Sequence, residues 1–458
     1  MIWSALIAPY QAQAQAAAER TAAYVNGAVS GMMTVVDRLV ADPRVEPRVG
    51  QVFYGLAQRT HPDRLITSIP GRMVSRLSGW AGFPADLSRR PLSTWQRREY
   101  VARHLALSAM IAPLLGGFLY GANPAGVRFT RRDLAVMRER YFELVERDAR
   151  NAGRLYPRHI LNVAFGDLDG ERVLQSTYRT RRQMMEAIRS RVGYVRERRG
   201  YDASLWPDYF LHRYHWRDWF DDESAFSWDS KTELLFAGLY GAMQRDALQG
   251  ALEGFLRADN QRRSNPKRGP VRVVEIGAGT GTYANYFLET ARWLGRLEGV
   301  EYGFVEMSPS NMKLARDRLE RWGDRVKYFD WEHDRAAAEA LPYKDANVDV
   351  IVAVNLFHEL PPDVRREAAR EISRALRPGG RFVFFDSVQA GDGMDSLLRA
   401  FGESGHGKAE RAGVFHEPYI PGYARENLDA LFGGAGLKRK APWQYAYMAK
   451  GTVFEREF

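Results

Sequence analysis

The sequence contains no cysteine among its 458 residues. A chain without cysteine has no disulfide framework, no Cys-ligated zinc or iron–sulfur cluster, and no thiol nucleophile. The remaining composition is typical of a globular protein, with 45% hydrophobic and 12% aromatic residues. The length is sufficient for two or three domains with substantial cores.

The sequence also has little that would place it in a membrane. The apolar, uncharged run at residues 105–120 is shorter than the ~20 residues that a spanning helix needs, and it contains Pro113. This run predicts a buried or interfacial helix. The first nine residues lack a basic leader, so no signal peptide is predicted. We expect a cytoplasmic protein, with peripheral contact to the inner membrane as an alternative.

Positive charge is concentrated before residue 271, where the chain has 40 Lys and Arg and 28 Asp and Glu. The remainder has 26 Lys and Arg and 28 Asp and Glu. Nine arginines and three glutamates lie within residues 171–200. Such a segment is either a solvated helical face or a contact with an anionic surface. Nucleic-acid binding is not expected, because few aromatic residues lie between the arginines and no recognition module is apparent.

Helical periodicity dominates the first 265 residues. Helices are predicted at residues 13–40, 130–150 and 232–256. A polar, basic linker is predicted at residues 257–269. We therefore divide the chain into a helical region at 1–125, a helical accessory or substrate-lid region at 126–265, and a C-terminal domain at 266–458.

Aromatic residues are densest at residues 206–228, and aromatic side chains often wall the pockets of flat or lipophilic ligands. We predict that His215, Trp216 and Trp219 belong to a substrate pocket; packing between domains is the alternative. The pair His212 and His215 lacks a third well-spaced ligand, so no metal site is predicted.

Residues 271–282 predict a strand, a tight turn and the start of a helix. The turn contains Gly277, Gly279 and Gly281. Glycines remove the Cβ atoms that would hold a ligand away from the backbone, and the helix N-terminus offers unpaired N–H groups. The pattern indicates a ligand-binding turn.

Glu275 and the glycine turn resemble the first motif of class I S-adenosylmethionine methyltransferases. The resemblance implies that the Glu275 carboxylate faces the methionine end of the cofactor. A dinucleotide-binding dehydrogenase is the alternative, but its fingerprint requires glycine at the position of Thr282.

Alternating strands and helices follow the turn and predict an α/β fold, a Rossmann-like seven-stranded methyltransferase sheet behind a mainly helical N-terminal region. Strands are predicted at residues 271–276, 301–306, 326–329, 348–354 and 381–386, with a helix at 422–432 and a strand pair at 437–454. In the resemblance, Glu306 binds the ribose, Met307 covers the adenine, and Asn355 also contacts the cofactor. The acceptor for the adenine amine is Asp330 or, after an insertion, Glu332 or Asp334.

The segment from Asn355 to Pro361 resembles the corresponding segment of quinone and other small-molecule C- and O-methyltransferases, with Glu359 in place of a second histidine. We identify His358 and Glu359 as candidate catalytic residues; His358 is either a general base or a shaping residue at the methionine end. His416 is a second candidate base, and Tyr419 a candidate for orienting the substrate; a packed loop is the alternative for both.

The resemblance implies a methyltransferase that uses S-adenosyl-L-methionine and acts on a lipophilic or aromatic small molecule at carbon or oxygen. The Asp/Asn-Pro-Pro-aromatic motif of nucleobase amino-methyltransferases is missing after the fourth strand. Without cysteine, radical chemistry on an iron–sulfur cluster and thiol-dependent base methylation are excluded. The alternatives are an RNA- or protein-directed methyltransferase that uses the basic region, and an inactive cofactor-binding scaffold.

Overall fold

The computed structural model describes residues 90–105, 108, 130–161, 205–211, 219–220, 225, 228, 232, 236–396, 398–399 and 418–457. The helix predicted at 13–40, most of the apolar run at 105–120, the basic segment at 171–200, and the candidate residues His215, Trp216 and His416 lie outside these ranges. In the described part of the chain, no helix is long and apolar enough to cross a membrane.

Eight strands form one sheet in the order β3-β2-β1-β4-β5-β8-β6, with β7 paired to β8 outside this path. The strands are β1 Val271–Ile276, β2 Val300–Glu306, β3 Val326–Asp330, β4 Val348–Val354, β5 Leu376–Ser387, β6 Leu437–Arg439, β7 Gln444–Ala446 and β8 Ala449–Arg456. The first five strands are parallel, and β8 is antiparallel to β5. The predicted Rossmann-like sheet is confirmed, with β7 as an additional short strand.

The central strands are apolar because helices cover both faces of the sheet. Every residue of β4 is buried, as are five of the six residues of β1. The strand order reverses between β1 and β4, so the loops that follow these two strands separate and leave a crevice at the carboxyl edge of the sheet. The glycine turn and the Asn355 segment both open onto this crevice.

Six helices of six or more residues carry labels below. They are α1 Arg131–Asn151, α2 Tyr240–Ser264, α3 Thr282–Trp293, α4 Pro309–Leu319, α5 Pro362–Ala375 and α6 Leu428–Gly433. The Ser308 hydroxyl accepts a hydrogen bond from the Asn311 N–H at 3.1 Å and caps α4, with Pro309 as its first residue. Thr130 caps α1 in the same way.

Two predicted helix boundaries were wrong. The helix expected at 232–256 begins at Tyr240 and ends at Ser264, so most of the predicted linker is helical. The basic end of α2 stays helical because Arg262 and Arg263 both pair with the buried Asp259 one turn earlier. The helix predicted at 422–432 is divided into a turn at Ile420–Tyr423 and α6.

Helix α2 lies on the sheet and runs antiparallel to β4 and β5. A Cβ atom on Gly254 would meet Val350 near the start of β4, and one on Gly250 would meet Val383 in the carboxyl half of β5. Four residues of helix span about 6 Å, which matches about two residues of strand. The N-terminal turns of α2 therefore reach the carboxyl edge of the sheet, where the crevice opens.

A buried polar cluster connects α1 with α2. Arg245 and Asp148 form a bidentate ion pair, with 2.6 Å between Nη2 and Oδ2, and both side chains are almost completely buried. The hydroxyls of Tyr100 and Tyr156 also donate hydrogen bonds to the Asp148 carboxylate. Because Tyr100 lies in the helical residues 94–105, the cluster joins three segments of the chain.

Candidate active site

A cavity occupies the crevice at the carboxyl edge of the sheet. Its floor consists of the glycine turn, residues 305–307, residues 337–339 and residues 354–360. The part of the chain that precedes the sheet contributes an aromatic wall, formed by Tyr209, Phe210, Trp219, Trp228, Phe236 and Tyr240. The cavity thus has a largely polar, glycine-rich side and an aromatic side.

The three glycines of the turn have positive φ angles of 61°, 58° and 84°. At Gly277 a Cβ atom would approach Leu356 to 2.6 Å, whereas at Gly279 it would meet nothing within 4 Å. Gly279 lines the cavity, so its exposed backbone faces open space that a ligand can fill. A side chain at this position would be strained and would enter that space.

Glu306 ends β2 beside the glycine turn. Its Oε2 accepts a hydrogen bond from the Gly279 N–H at 2.6 Å, and its Oε1 accepts one from the Ser308 N–H at 2.7 Å. Burial raises the pKa of Glu306 to about 7, although these two N–H donors act in the opposite direction. The carboxylate therefore holds the turn against the end of β2 and borders the cavity.

Glu275 lies deeper in the cavity, at the end of β1. The Tyr302 hydroxyl donates a hydrogen bond to its Oε2 at 2.8 Å. Burial, together with the smaller effect of the neighbouring Glu306, raises the pKa of Glu275 to about 8. A ligand that carries positive charge would favour the ionised form of both carboxyl groups.

The segment 205–211, which we call the strap, crosses the loops that follow β2 and β3. The indole of Trp206 donates to the Met307 carbonyl at 3.2 Å, and the indole of Trp331 donates to the Leu205 carbonyl at 2.7 Å. The Tyr209 hydroxyl donates to the Glu339 carboxylate. The strap therefore closes this end of the cavity over Met307.

Asp330 does not line the cavity. Its carboxylate caps the turn at Trp331–Asp334 and accepts the His333 N–H at 2.7 Å. Glu332 and Asp334 are exposed. The acid from this region that does line the cavity is Glu339, whose Oε2 is buried and has no hydrogen-bond partner. The role of Asp330 as acceptor for the adenine amine stays a prediction. Glu339 is better placed to accept a hydrogen bond from a ligand's amino group.

His358 and Asp386 form a pair between the ends of β4 and β5. His358 Nδ1 is 2.6 Å from Asp386 Oδ1, and the carboxylate also accepts the backbone N–H groups of Phe357 and Ser387. Asp386 is completely buried, whereas His358 lines the cavity. Because Asp386 only accepts when ionised, it favours the tautomer with a proton on Nδ1, so that Nε2 can take a proton.

The other predicted residues differ in their placement. Asn355 and Glu359 line the cavity, and Asn355 adopts a left-handed backbone with φ of 53°. The Glu359 carboxylate lies 3.8 Å from His358 Nε2. Trp219 belongs to the aromatic wall, whereas Tyr419 precedes the cavity-lining Ile420. Among the described residues, no group of three His, Asp or Glu side chains is arranged to hold a metal ion.

Sequence reasoning missed three residues of the cavity or its support, Asp386, Glu339 and Gln244. Asp386 ends a predicted strand next to β4 in the sheet, so an acid at this strand end was an available signal. Glu339 follows β3 by nine residues in an irregular segment and has no local signal. Gln244 was obscured because the start of α2 was predicted eight residues too early.

Comparison with known proteins agrees with this architecture. A family model described as a methyltransferase domain matches residues 274–382. Methyltransferase GfsG of Streptomyces halstedii is 34% identical over 131 residues, which are 28% of this chain and 42% of that protein. The 27-O-demethylrifamycin SV methyltransferase of Amycolatopsis mediterranei is 30% identical over 41% of this chain and 57% of its own length.

A third relative is highly reducing polyketide synthase 40 of Fusarium pseudograminearum, which is 30% identical over 28% of this chain and 5% of that protein. The matches thus cover 42%, 57% and 5% of the length of these three relatives. The family model spans the sheet from β1 into β5. The same region contains the glycine turn with its φ angles, Glu306 at the end of β2, and the 3-2-1-4-5 strand order.

S-adenosylmethionine fits these residues. Gly279 leaves an open cradle, and Glu275, Glu306 and Glu339 offer carboxyl oxygens to a ligand with hydroxyl, amino and cationic groups. Residues 274–382 thus match a methyltransferase domain, and they form the Rossmann-like part of the sheet whose cavity fits S-adenosylmethionine.

Proposed function

We propose that this chain transfers a methyl group from S-adenosylmethionine to an oxygen or carbon atom of a lipophilic or aromatic small molecule. The observation that carries the proposal is the His358–Asp386 pair, which places a proton-accepting nitrogen in the same cavity as the glycine turn and Glu306. This pair supports an enzyme over a scaffold that only binds the cofactor, because Asp386 prepares His358 to accept a proton at Nε2.

The cofactor, when bound, supplies a methyl group made electrophilic by its sulfonium charge. Glu306 would hold the ribose hydroxyls, Glu339 the adenine amine, and the glycine turn with Glu275 the methionine end. All of these groups line the cavity. Their carboxylates also balance the positive charge of the ligand.

His358 would remove the proton of the methyl acceptor. Its Nε2 takes the proton from the attacking hydroxyl or carbon acid, while Asp386 stabilises the resulting imidazolium through Nδ1. With the cofactor bound, the acceptor's electron pair would be directed at the methyl group that the sulfonium supplies. The aromatic wall and the strap keep water away from this exchange.

Two observations support a lipophilic or aromatic acceptor. The side of the cavity opposite the glycine turn is built from aromatic rings, including Trp219, which lies 5.7 Å from Trp228 between ring centroids. One relative is named for an O-demethylated small molecule, and another is named as a polyketide synthase. Only the first of these names specifies a methylated atom, which is oxygen.

The test begins with calorimetry of the purified chain with S-adenosylmethionine, S-adenosylhomocysteine and NAD. We expect binding of the first two and no binding of NAD, and loss of binding in Gly279→Arg, where the side chain fills the cradle. Gly269→Arg is the matched control, because Gly269 also has a positive φ and open space but lies at the amino end of β1.

Labelled-methyl transfer into lipid, quinone, hydroxylated aromatic and RNA fractions then identifies the methyl acceptor. Incorporation into a small-molecule fraction that is lost in His358→Ala supports the proposal. Binding of NAD without S-adenosylmethionine, or incorporation into RNA alone, would overturn it.

A further inference from the structure

Gln244 lies on the first turn and a half of α2 and lines the cavity together with Tyr240, which is one helical turn earlier. Residues four apart share a helix face, so both side chains point in the same direction. Gln244 is only 6% exposed, and its side-chain oxygen is buried without a hydrogen-bond partner. Buried polar atoms in folded proteins are normally paired, so this oxygen indicates a missing partner.

The position of Gln244 separates it from the carboxylates of the cofactor region. Gly250 is level with Val383, and Gln244 is six residues closer to the carboxyl edge of the sheet. By the rise of helix and strand, Gln244 is therefore level with the ends of β4 and β5, where Asn355 and Asp386 lie. Glu306 and Glu339 belong to the opposite half of the crevice, after β2 and β3.

The surroundings of Gln244 are mostly apolar. Tyr240 stacks on Phe236, with 5.7 Å between ring centroids and 12° between planes, and Met448 and Val388 also line this side. A single amide oxygen in an apolar wall orients a ligand that would otherwise be held only by the shape of the cavity. It also discriminates against ligands that leave it unpaired.

We propose that Gln244 accepts a hydrogen bond from a hydroxyl or amino group of the methyl acceptor, and that it thereby selects aromatic or apolar acceptors that carry such a donor. The inference rests on the proposed function, since it assigns this half of the cavity to the acceptor. It adds a specificity-determining residue and a chemical requirement that the aromatic wall alone does not impose.

The experiment compares two probes that differ in one donor, 1-naphthol and 1-methoxynaphthalene, by calorimetry on protein saturated with S-adenosylhomocysteine. Wild type is expected to bind 1-naphthol about tenfold more tightly, the size of effect expected for one hydrogen bond in a buried site. In Gln244→Leu and Gln244→Met the ratio is expected to fall at least about threefold, with S-adenosylhomocysteine affinity within about twofold. Any preference that remains would come from His358, which lines the same cavity.

Gln249→Leu is the matched control, because Gln249 is on the same helix and its amide interacts with Glu253 outside the cavity. This variant should retain the wild-type ratio. A ratio that is unchanged in both Gln244 variants would overturn the inference, as would a ratio near one in the wild type. Loss of S-adenosylhomocysteine affinity in the Gln244 variants would also overturn it, since Gln244 would then serve the cofactor.

Failure of the proposed function has a different signature. If the wild-type chain binds neither S-adenosylmethionine nor S-adenosylhomocysteine, the methyltransferase proposal fails before the naphthalene probes are used. If cofactor binding is normal and only the probe ratio fails, the methyltransferase proposal stands without the role of Gln244.

Discussion

Glu275 shows how a buried acid couples stability to pH. Its pKa in the folded protein is raised from 4.5 to about 8 by burial. A group whose folded pKa is raised stabilises the protein fully below its unfolded pKa and loses this contribution as the pH rises through the folded pKa. The stabilising contribution of Glu275 is therefore lost as the pH rises from about 4.5 to about 8.

We predict that Glu275→Gln becomes more stable relative to wild type as the pH rises from 5 to 9, because glutamine cannot ionise. At pH 9 the expected advantage is at least about 1 kcal/mol, or about 1 °C in melting temperature, and at pH 5 it is close to zero. Differential scanning calorimetry across this range measures the difference. A difference that does not change with pH would contradict the raised pKa.

Asp386 acts through His358. In Asp386→Asn the amide can donate to His358 Nδ1, which favours the tautomer that blocks Nε2 as a proton acceptor. We predict that methyl transfer to the acceptor found by labelling falls about 100-fold or more in kcat, with S-adenosylhomocysteine affinity within about twofold. The pH profile of kcat should also lose its His358 limb.

Glu367→Gln is the control for this variant, because Glu367 is an exposed acid of α5 that pairs only with Arg370. A merely structural role of Asp386 would reduce cofactor affinity and melting temperature together with kcat, and would leave the pH profile unchanged in shape. That pattern would contradict the assignment of Asp386 as a positioning residue.

Individual site residues were predictable from sequence where they belong to a contiguous motif. Gly279, Glu306 and His358 each lie at a strand's last residue or within four residues after it, so the parallel sheet brings them together. The strand end of Asp386 was a signal for an acid, but its pairing with His358, like the placement of Gln244, depends on parts of the chain that are distant in sequence. Asp330 illustrates the reverse case: its position after β3 fits the motif, but its carboxylate caps the next turn.

Among the elements, the strap connects the N-terminal part of the chain to the cofactor loops. Its tyrosine, Tyr209, lines the cavity, and its hydroxyl lies 3.5 Å from Met307 Sδ in addition to its bond with Glu339. These contacts cover a ligand held below Met307 on this side of the cavity. The strap should therefore control the rate of cofactor release more than the rate of chemistry.

We predict that Tyr209→Phe increases the dissociation rate of S-adenosylhomocysteine about fivefold, because it removes the hydrogen bond to Glu339. Stopped-flow tryptophan fluorescence measures this rate. Trp95→Phe is the control, since Trp95 is 51% exposed and distant from the strap in the chain. An unchanged dissociation rate in Tyr209→Phe would show that the strap does not limit release.

The elements of the sheet were more predictable than those that cover it. The bounds of β1 and β4 match the predicted ranges, because a buried parallel strand is a short apolar run with clear ends. The bounds of α2 did not match. Its basic end looks like a linker in sequence, and only the pairing of Arg262 and Arg263 with Asp259 shows that it is helical.

At the scale of the whole molecule, the ion pair of Asp148 and Arg245 connects α1 to α2, the helix that packs on the sheet. Removal of one partner would leave a buried charge without compensation. We predict that Arg245→Met reduces the free energy of unfolding by about 3–5 kcal/mol, measured by urea denaturation. The hydroxyls of Tyr100 and Tyr156 cannot replace the lost positive charge.

Arg257→Met is the matched control on the same helix. Arg257 pairs with Glu455 at 2.9 Å, but its side chain is 42% exposed, so its loss should cost about 1 kcal/mol or less. Equal losses in the two variants would contradict the stabilising role of the buried cluster between α1 and α2.

The position of α2 limits where two related chains can be joined in a chimera. One face of α2 is part of the sheet's core, and its first turns contribute Tyr240 and Gln244 to the cavity. A fragment that began at residue 266 would lack both. A chimera that exchanges the specificity of two such methyltransferases therefore has to be joined before Tyr240, with the new α2 matched to the recipient sheet. An exchanged α2 would therefore change both the lining of the cavity and the packing against the sheet.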